Sequence, residues 1–133
     1  MAPQRIPAIY CFSHCYNAPL PDERASMLTV LSLDTTTNSL IPVQQTTLPE
    51  GTLMPIAQVI NKKGTKLFTT AGRHGVVCYH LAPQDQGKII GGPILLQVTL
   101  EPSKTPYGVM PVDISLDIRE ENLFTCNFMA GSI

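Results

Sequence analysis

Two segments of this chain are written on one template. Residues 55–77 and 111–133 align without a gap at a constant offset of 56 residues, the separation of Pro55 from Pro111. Under that offset Ile56 falls on Val112, Leu67-Phe68-Thr69 on Leu123-Phe124-Thr125, and Gly75 on Gly131. Self-similarity at a long fixed period marks a repeat architecture, because a single unit cannot bury its apolar face alone and must stack on a neighbour. The second copy reaches the last residue, Ile133, in mid-unit.

The pattern between turns is that of short strands. Residues 6–12 form an apolar run of strand formers, and 13–25 are polar and broken by Pro19 and Pro21. Residues 26–33 alternate at period two, which puts Leu28, Val30 and Ser32 on one face. Asp34 to Ser39 reads as a hairpin turn, since Asp and Asn bond to their own backbone, and 40–47 is the returning strand. A fuller unit follows: strand 55–60, turn Asn61-Lys62-Lys63-Gly64, strand 65–71, turn Gly72-Arg73-His74-Gly75, strand 76–81, polar turn 82–88 and strand 89–98. Within that last strand Gly91-Gly92-Pro93 signals a bulge or bend. A further unit opens with strands 110–117 and 122–127.

Twelve prolines, nine glycines and only 14% charged residues suit this all-β reading. No convincing helix is expected. Four antiparallel strands in 40–50 residues is the arrangement of a β-propeller blade, with strands a to d counted outward from the centre. One domain, 1–133, is therefore expected to be a partial β-propeller of about two and a half blades. The first blade, about 6–47, lacks its inner strand; the second spans about 55–98; the third begins at about 110–133. A ring is not expected to close within this length.

The succession PIAQVINKKGTKLFTTAGRHGVVCYHLAPQDQGKI, then MPVDISLDIREENLFTCNFMAGSI, resembles the first blades of the lactonase family of seven-bladed propellers. That family includes bacterial-type 6-phosphogluconolactonase and fungal carboxy-cis,cis-muconate cyclase. The shared features are a proline-led a strand, an apolar-aromatic b strand and a c strand closing like Tyr79-His80-Leu81-Ala82-Pro83. An apolar d strand and an aromatic-x-x-Gly turn at Phe128 to Gly131 complete them. The likeness covers nearly all of 6–133, less than half of a family member. It implies hydrolysis or formation of a lactone, with no metal or organic cofactor, by His, Arg and Glu side chains at one mouth of the channel. Most of those groups belong to later blades. Where the family often has Pro-x-His, this chain has Pro111-Val112-Asp113.

In a propeller the d-to-a and b-to-c connections share one face. His14, Arg73, His74, Lys104 and Asn127 are thus expected to border one groove, with Asp113 beside them. An Arg next to a His can hold a carboxylate or phosphate while the His exchanges protons near neutral pH, but the same pair also suits a solvated hairpin tip. Asp113 reads equally as a channel-facing acid or a hydrogen-bond acceptor. His80 is expected to be structural.

A net charge of −1 offers no basic stripe for nucleic acid. No apolar run approaches the roughly 20 residues that span a bilayer, and the first residues lack a secretory leader, so a cytoplasmic protein is expected. Cys11, Cys15, Cys78 and Cys126 do not form the two close pairs of a zinc site and are expected as free thiols.

Two functions follow as expectations. One is the amino-terminal part of a lactonase-like enzyme acting on a small sugar-acid or muconate-type lactone. The other is a catalytically silent propeller segment that associates with itself or another chain through exposed strand edges.

Overall fold

β-Branched and aromatic runs separated by Asn, Asp, Gly and Pro turns give, among the described residues, nine strands in three antiparallel sheets. The computed structural model describes residues 5–13, 26–49, 56–72, 75–96 and 111–127. Strands β1 (Arg5–Ser13), β2 (Ser26–Asp34) and β3 (Ser39–Thr47) form the first sheet, in that order. The second sheet has the order β4 (Gln58–Ile60), β5 (Lys66–Thr70), β6 (Val76–Ala82) and β7 (Lys88–Leu95). The third pairs β8 (Pro111–Leu116) with β9 (Leu123–Asn127). None of the three closes on itself.

These strands sit within a few residues of the expected ones. The strand expected from residue 55 starts only at Gln58, and Pro55 lies outside the described residues. Residues 97–110 and 128–133 lie outside them as well. The turn after β6 departs from the helix-free expectation, with one turn of 3₁₀ helix at Pro83–Asp85 closed by left-handed Gln86. The bulge expected at Gly91-Gly92-Pro93 is present: Cys78 pairs with Ile94 and His80 with Ile90, so three residues of β7 face Tyr79 alone.

The 56-residue repeat holds at the level of hydrogen bonds. Gln58 pairs with Thr69, Val59 with Phe68 and Ile60 with Leu67; 56 residues on, Ile114 pairs with Thr125, Ser115 with Phe124 and Leu116 with Leu123. The connecting turns match too. Asn61 Oδ1 accepts the amides of Thr65 and Lys66 at 2.8 and 3.0 Å, and Asp117 Oδ1 accepts those of Glu121 and Asn122 at 2.8 and 3.1 Å. Both turns place a left-handed residue in the same slot, Gly64 at φ 68° and Glu120 at φ 59°. Glycine takes that conformation freely, whereas Glu120 carries its Cβ penalty.

Packing places the second sheet between the other two. One cluster joins Leu28, Val30 and Leu48 to Leu67, Ala71, Val77, Tyr79, Leu81 and Ile89. Ser32 is buried with Leu28 and Val30, on the face the alternation predicts. Side chains alternate across a strand, so Val77, Tyr79 and Leu81 share the face of β6 turned to the first sheet. On its other face Val76, Cys78 and Ala82 are buried as well, and β8 packs against β4 and β5.

Two side chains tie the sheets together. Gln44 on β3 grips the backbone of β7: its Nε2 donates to Ile89 O at 3.1 Å and its Oε1 accepts the Ile89 amide at 2.6 Å. Across the other junction, Glu120 Oε1 accepts the Lys62 amide and Lys62 Nζ donates to Ile118 O at 2.8 Å.

Replacing Gln44 by Ala strips both partners from a partly buried peptide group, and is expected to cost about 1–2 kcal/mol and to lower Tm by roughly 4–8 °C. Gln44→Glu should also destabilise in the same melt, since a carboxylate accepts the Ile89 amide but donates nothing to its carbonyl.

Asp117 gives the repeat a pH dependence that Asn61 does not. Hydrogen bonds from the Asn122 backbone and side-chain amides, then from Glu121 and Glu120, hold its carboxyl below the usual aspartate value. A folded pKa below the unfolded one contributes stability above the unfolded value and loses it as pH falls through the folded value. The contribution is thus intact at neutral pH and fades below about pH 4. Asp117→Asn, copying Asn61, is expected to fold and to show a shallower loss of Tm between about pH 4 and pH 2 than the parent.

Candidate functional site

The expected groove residues divide into two groups. His14, Arg73, His74 and Lys104 lie outside the described residues. The flanks of Arg73-His74 are defined: Gly72 and Gly75 both have positive φ, at 58° and 77°, and Gly75 N donates to Gly72 O at 3.0 Å. Asp113 and Asn127 stand on neighbouring strands at the same end of the third sheet, where Asn127 pairs with Pro111 and Cys126 with Asp113. Their environments differ. Asn127 is buried, while the exposed Asp113 turns its Oδ1 back to the Ile114 amide at 2.9 Å.

His80, expected to be structural, is exposed on β6, between Lys66 and Ile90 on the adjacent strands. Period two takes it off the Val77-Tyr79-Leu81 face. Cys78, on the same side of β6, is a buried free thiol and Cys126 an exposed one. Burial pushes the Cys78 thiol up, with Lys66 opposing.

A cleft of about 480 Å³ opens at the other end of these strands, between the two repeated turns. Asn61, Lys63 and Thr65 line it from one turn and Arg119 and Glu120 from the other, with Lys66, Phe68 and Leu116 on the strands between. Its electrostatics are one-sided. Lys63, Lys66 and Arg119 bring three positive charges and Glu120 one negative, a formal excess of two in a chain of net charge −1. Among the described residues no ion pair engages Lys63, Lys66 or Arg119; Lys88 pairs with Asp85 elsewhere. Asn61 is held by its own turn, its Nδ2 donating to Thr65 Oγ1 at 2.9 Å. The Thr65 hydroxyl hydrogen remains available to a guest.

Reading the sequence for titratable pairs such as Arg73-His74 passed over this cleft. A signal was nonetheless present, because the 56-residue offset that aligns Asn61 with Asp117 also aligns Lys63 with Arg119. Among the described residues no group of three His, Cys, Asp or Glu side chains gathers to hold a metal, and no helix is long and apolar enough to cross a membrane.

Thiol chemistry should follow exposure and thiolate content. In a timed alkylation at about pH 8 read by peptide mass spectrometry, Cys126 is expected to react roughly tenfold faster than Cys78, or more.

Comparison with known proteins returns no match: no protein-family model, no curated protein and no solved structure resembles the chain at a significant level.

Proposed function

We propose that the chain is the amino-terminal part of a lactonase-like β-propeller enzyme acting on a small sugar-acid or muconate-type lactone, by hydrolysis or cycloisomerisation. The observation that carries the propeller reading is the recurrence, 56 residues apart, of one strand-turn-strand unit with the same register, the same Asx turn and the same left-handed slot. The two copies also lie side by side, joined through Lys62, Ile118 and Glu120, as successive blades do. The order of three, four and two strands fits a blade lacking its inner strand, a full blade and the start of a third.

In lactone hydrolysis a water oxygen adds to the ring carbonyl as a base takes its proton. The ring C–O bond then breaks, and the departing alkoxide takes up a proton. His74 is the proton-exchanging candidate and Arg73 the anchor for a carboxylate or the developing oxyanion. Asp113 and Asn127, at the strand ends of the neighbouring unit, are candidates for the same groove. The test is hydrolysis of glucono-δ-lactone and a muconolactone, followed by acid release. Saturable turnover above the spontaneous rate, reduced about 10²-fold or more in His74→Ala, is the expected result. A folded protein that leaves both lactones at the spontaneous rate would overturn the enzymatic reading.

A second reading, a catalytically silent module working by association, has its own observation. Ile90, Ile94 and Leu95 on β7 and Phe124 on β9 are exposed. Apolar strands with open edges template further pairing. A monomer that stays monomeric at about 100 μM by light scattering would count against this reading, since edge pairing at that level needs only micromolar affinity.

A further inference from the structure

The cleft between the repeated turns is independent of the lactonase reading, and its chemistry is specific enough to argue by itself. It lies at the turn end of β8 and β9, whereas Asp113 and Asn127 occupy the opposite end. Two of its three cations, Lys63 and Arg119, are the same position of two successive repeats, so the stacking of the units brings them to one opening. That stacking is held by Lys62, whose amide and ammonium groups are both committed to the neighbouring turn. The Glu120 carboxylate is engaged by the Lys62 amide. With that carboxylate counted, Lys63, Lys66 and Arg119 still leave the cleft a formal excess of two positive charges.

We propose that this cleft is a binding site for a small polyvalent anion, one carrying phosphate or clustered carboxylate oxygens. Arg119 offers a planar fork that suits two oxygens at once, while Lys63 and Lys66 act as point charges. Thr65 supplies a hydroxyl, and Phe68 and Leu116 give an apolar wall to a carbon skeleton. The volume, about 480 Å³, falls within the range of small-molecule sites and exceeds the need of a bare inorganic ion. Because the three cations are exposed, each pairing is screened and the affinity is modest, with a Kd of about 0.1–1 mM for a trivalent guest.

The experiment is titration of the protein with citrate and with inorganic phosphate, at constant ionic strength set by chloride, read by calorimetry and by amide chemical shifts. Saturable binding is expected, tighter for citrate, with shifts centred on 61–66 and 116–120. Lys63→Gln and Arg119→Gln should each weaken it about 3- to 10-fold, and Arg119→Lys should recover part of the loss. Both sites are at the surface, and far-UV circular dichroism verifies the fold of each variant. Absence of saturation with both anions would overturn the proposal. So would binding that Lys63→Gln and Arg119→Gln leave unchanged, or shifts that follow chloride equally well.

Discussion

Burial of Val77, Tyr79 and Leu81 on one face of β6, together with Val76, Cys78 and Ala82 on the other, requires a neighbour on each side of the second sheet. The first sheet supplies one through Leu28 and Val30, and on the other side of the second sheet β8 packs against β4 and β5. A four-stranded sheet this small buries little by itself, and a single hairpin such as β8–β9 is marginal in water. Stability is therefore shared between units, as in repeat proteins, where each unit contributes mainly through the interface with the next. Roughly 1.5–3 kcal/mol of transfer free energy is expected for each large apolar side chain that such an interface takes out of water.

The polar ties across the interfaces have a different role. Gln44 satisfies the amide and carbonyl of Ile89 together, and in doing so sets the register of β3 against β7. Between the turns, the Lys62 amide donates to the Glu120 carboxylate and its ammonium to Ile118 O. These bonds add only about 1 kcal/mol each, but a slip of β3 against β7 would leave the partly buried peptide groups of Ile89 without partners. Apolar contact holds the sheets together; the hydrogen bonds choose one alignment. The cleft is a product of that alignment, because Lys63 and Arg119 meet only when the turns stack in step.

Much of this architecture was legible in the residues. Leu28, Val30 and Ser32 share a buried face because strand side chains alternate, and the Asp34 turn closes on its own carboxylate, which accepts the amides of Thr36 and Thr37. The bulge at Gly91 was marked by adjacent glycines and a proline. The exposure of His80 was harder to read, since a histidine between Tyr79 and Leu81 looks like part of an apolar run until the two faces of β6 are told apart. The candidate groove was legible only in part. Asp113 and Asn127 do come to the same end of adjacent strands, but one is buried and the other bonds its own backbone.

The sequence by itself determined the repeat, its period, the strand order and the turn chemistry. Those depend on local propensity and on a pattern that side-chain alternation imposes along a single strand. Which faces are covered, which cations converge and where a guest can sit were decided only by the tertiary structure. Such properties belong to pairs of units rather than to either one. Asn61 and Asp117 each build a turn from a few neighbouring residues, but the space between the turns exists only once the sheets have packed.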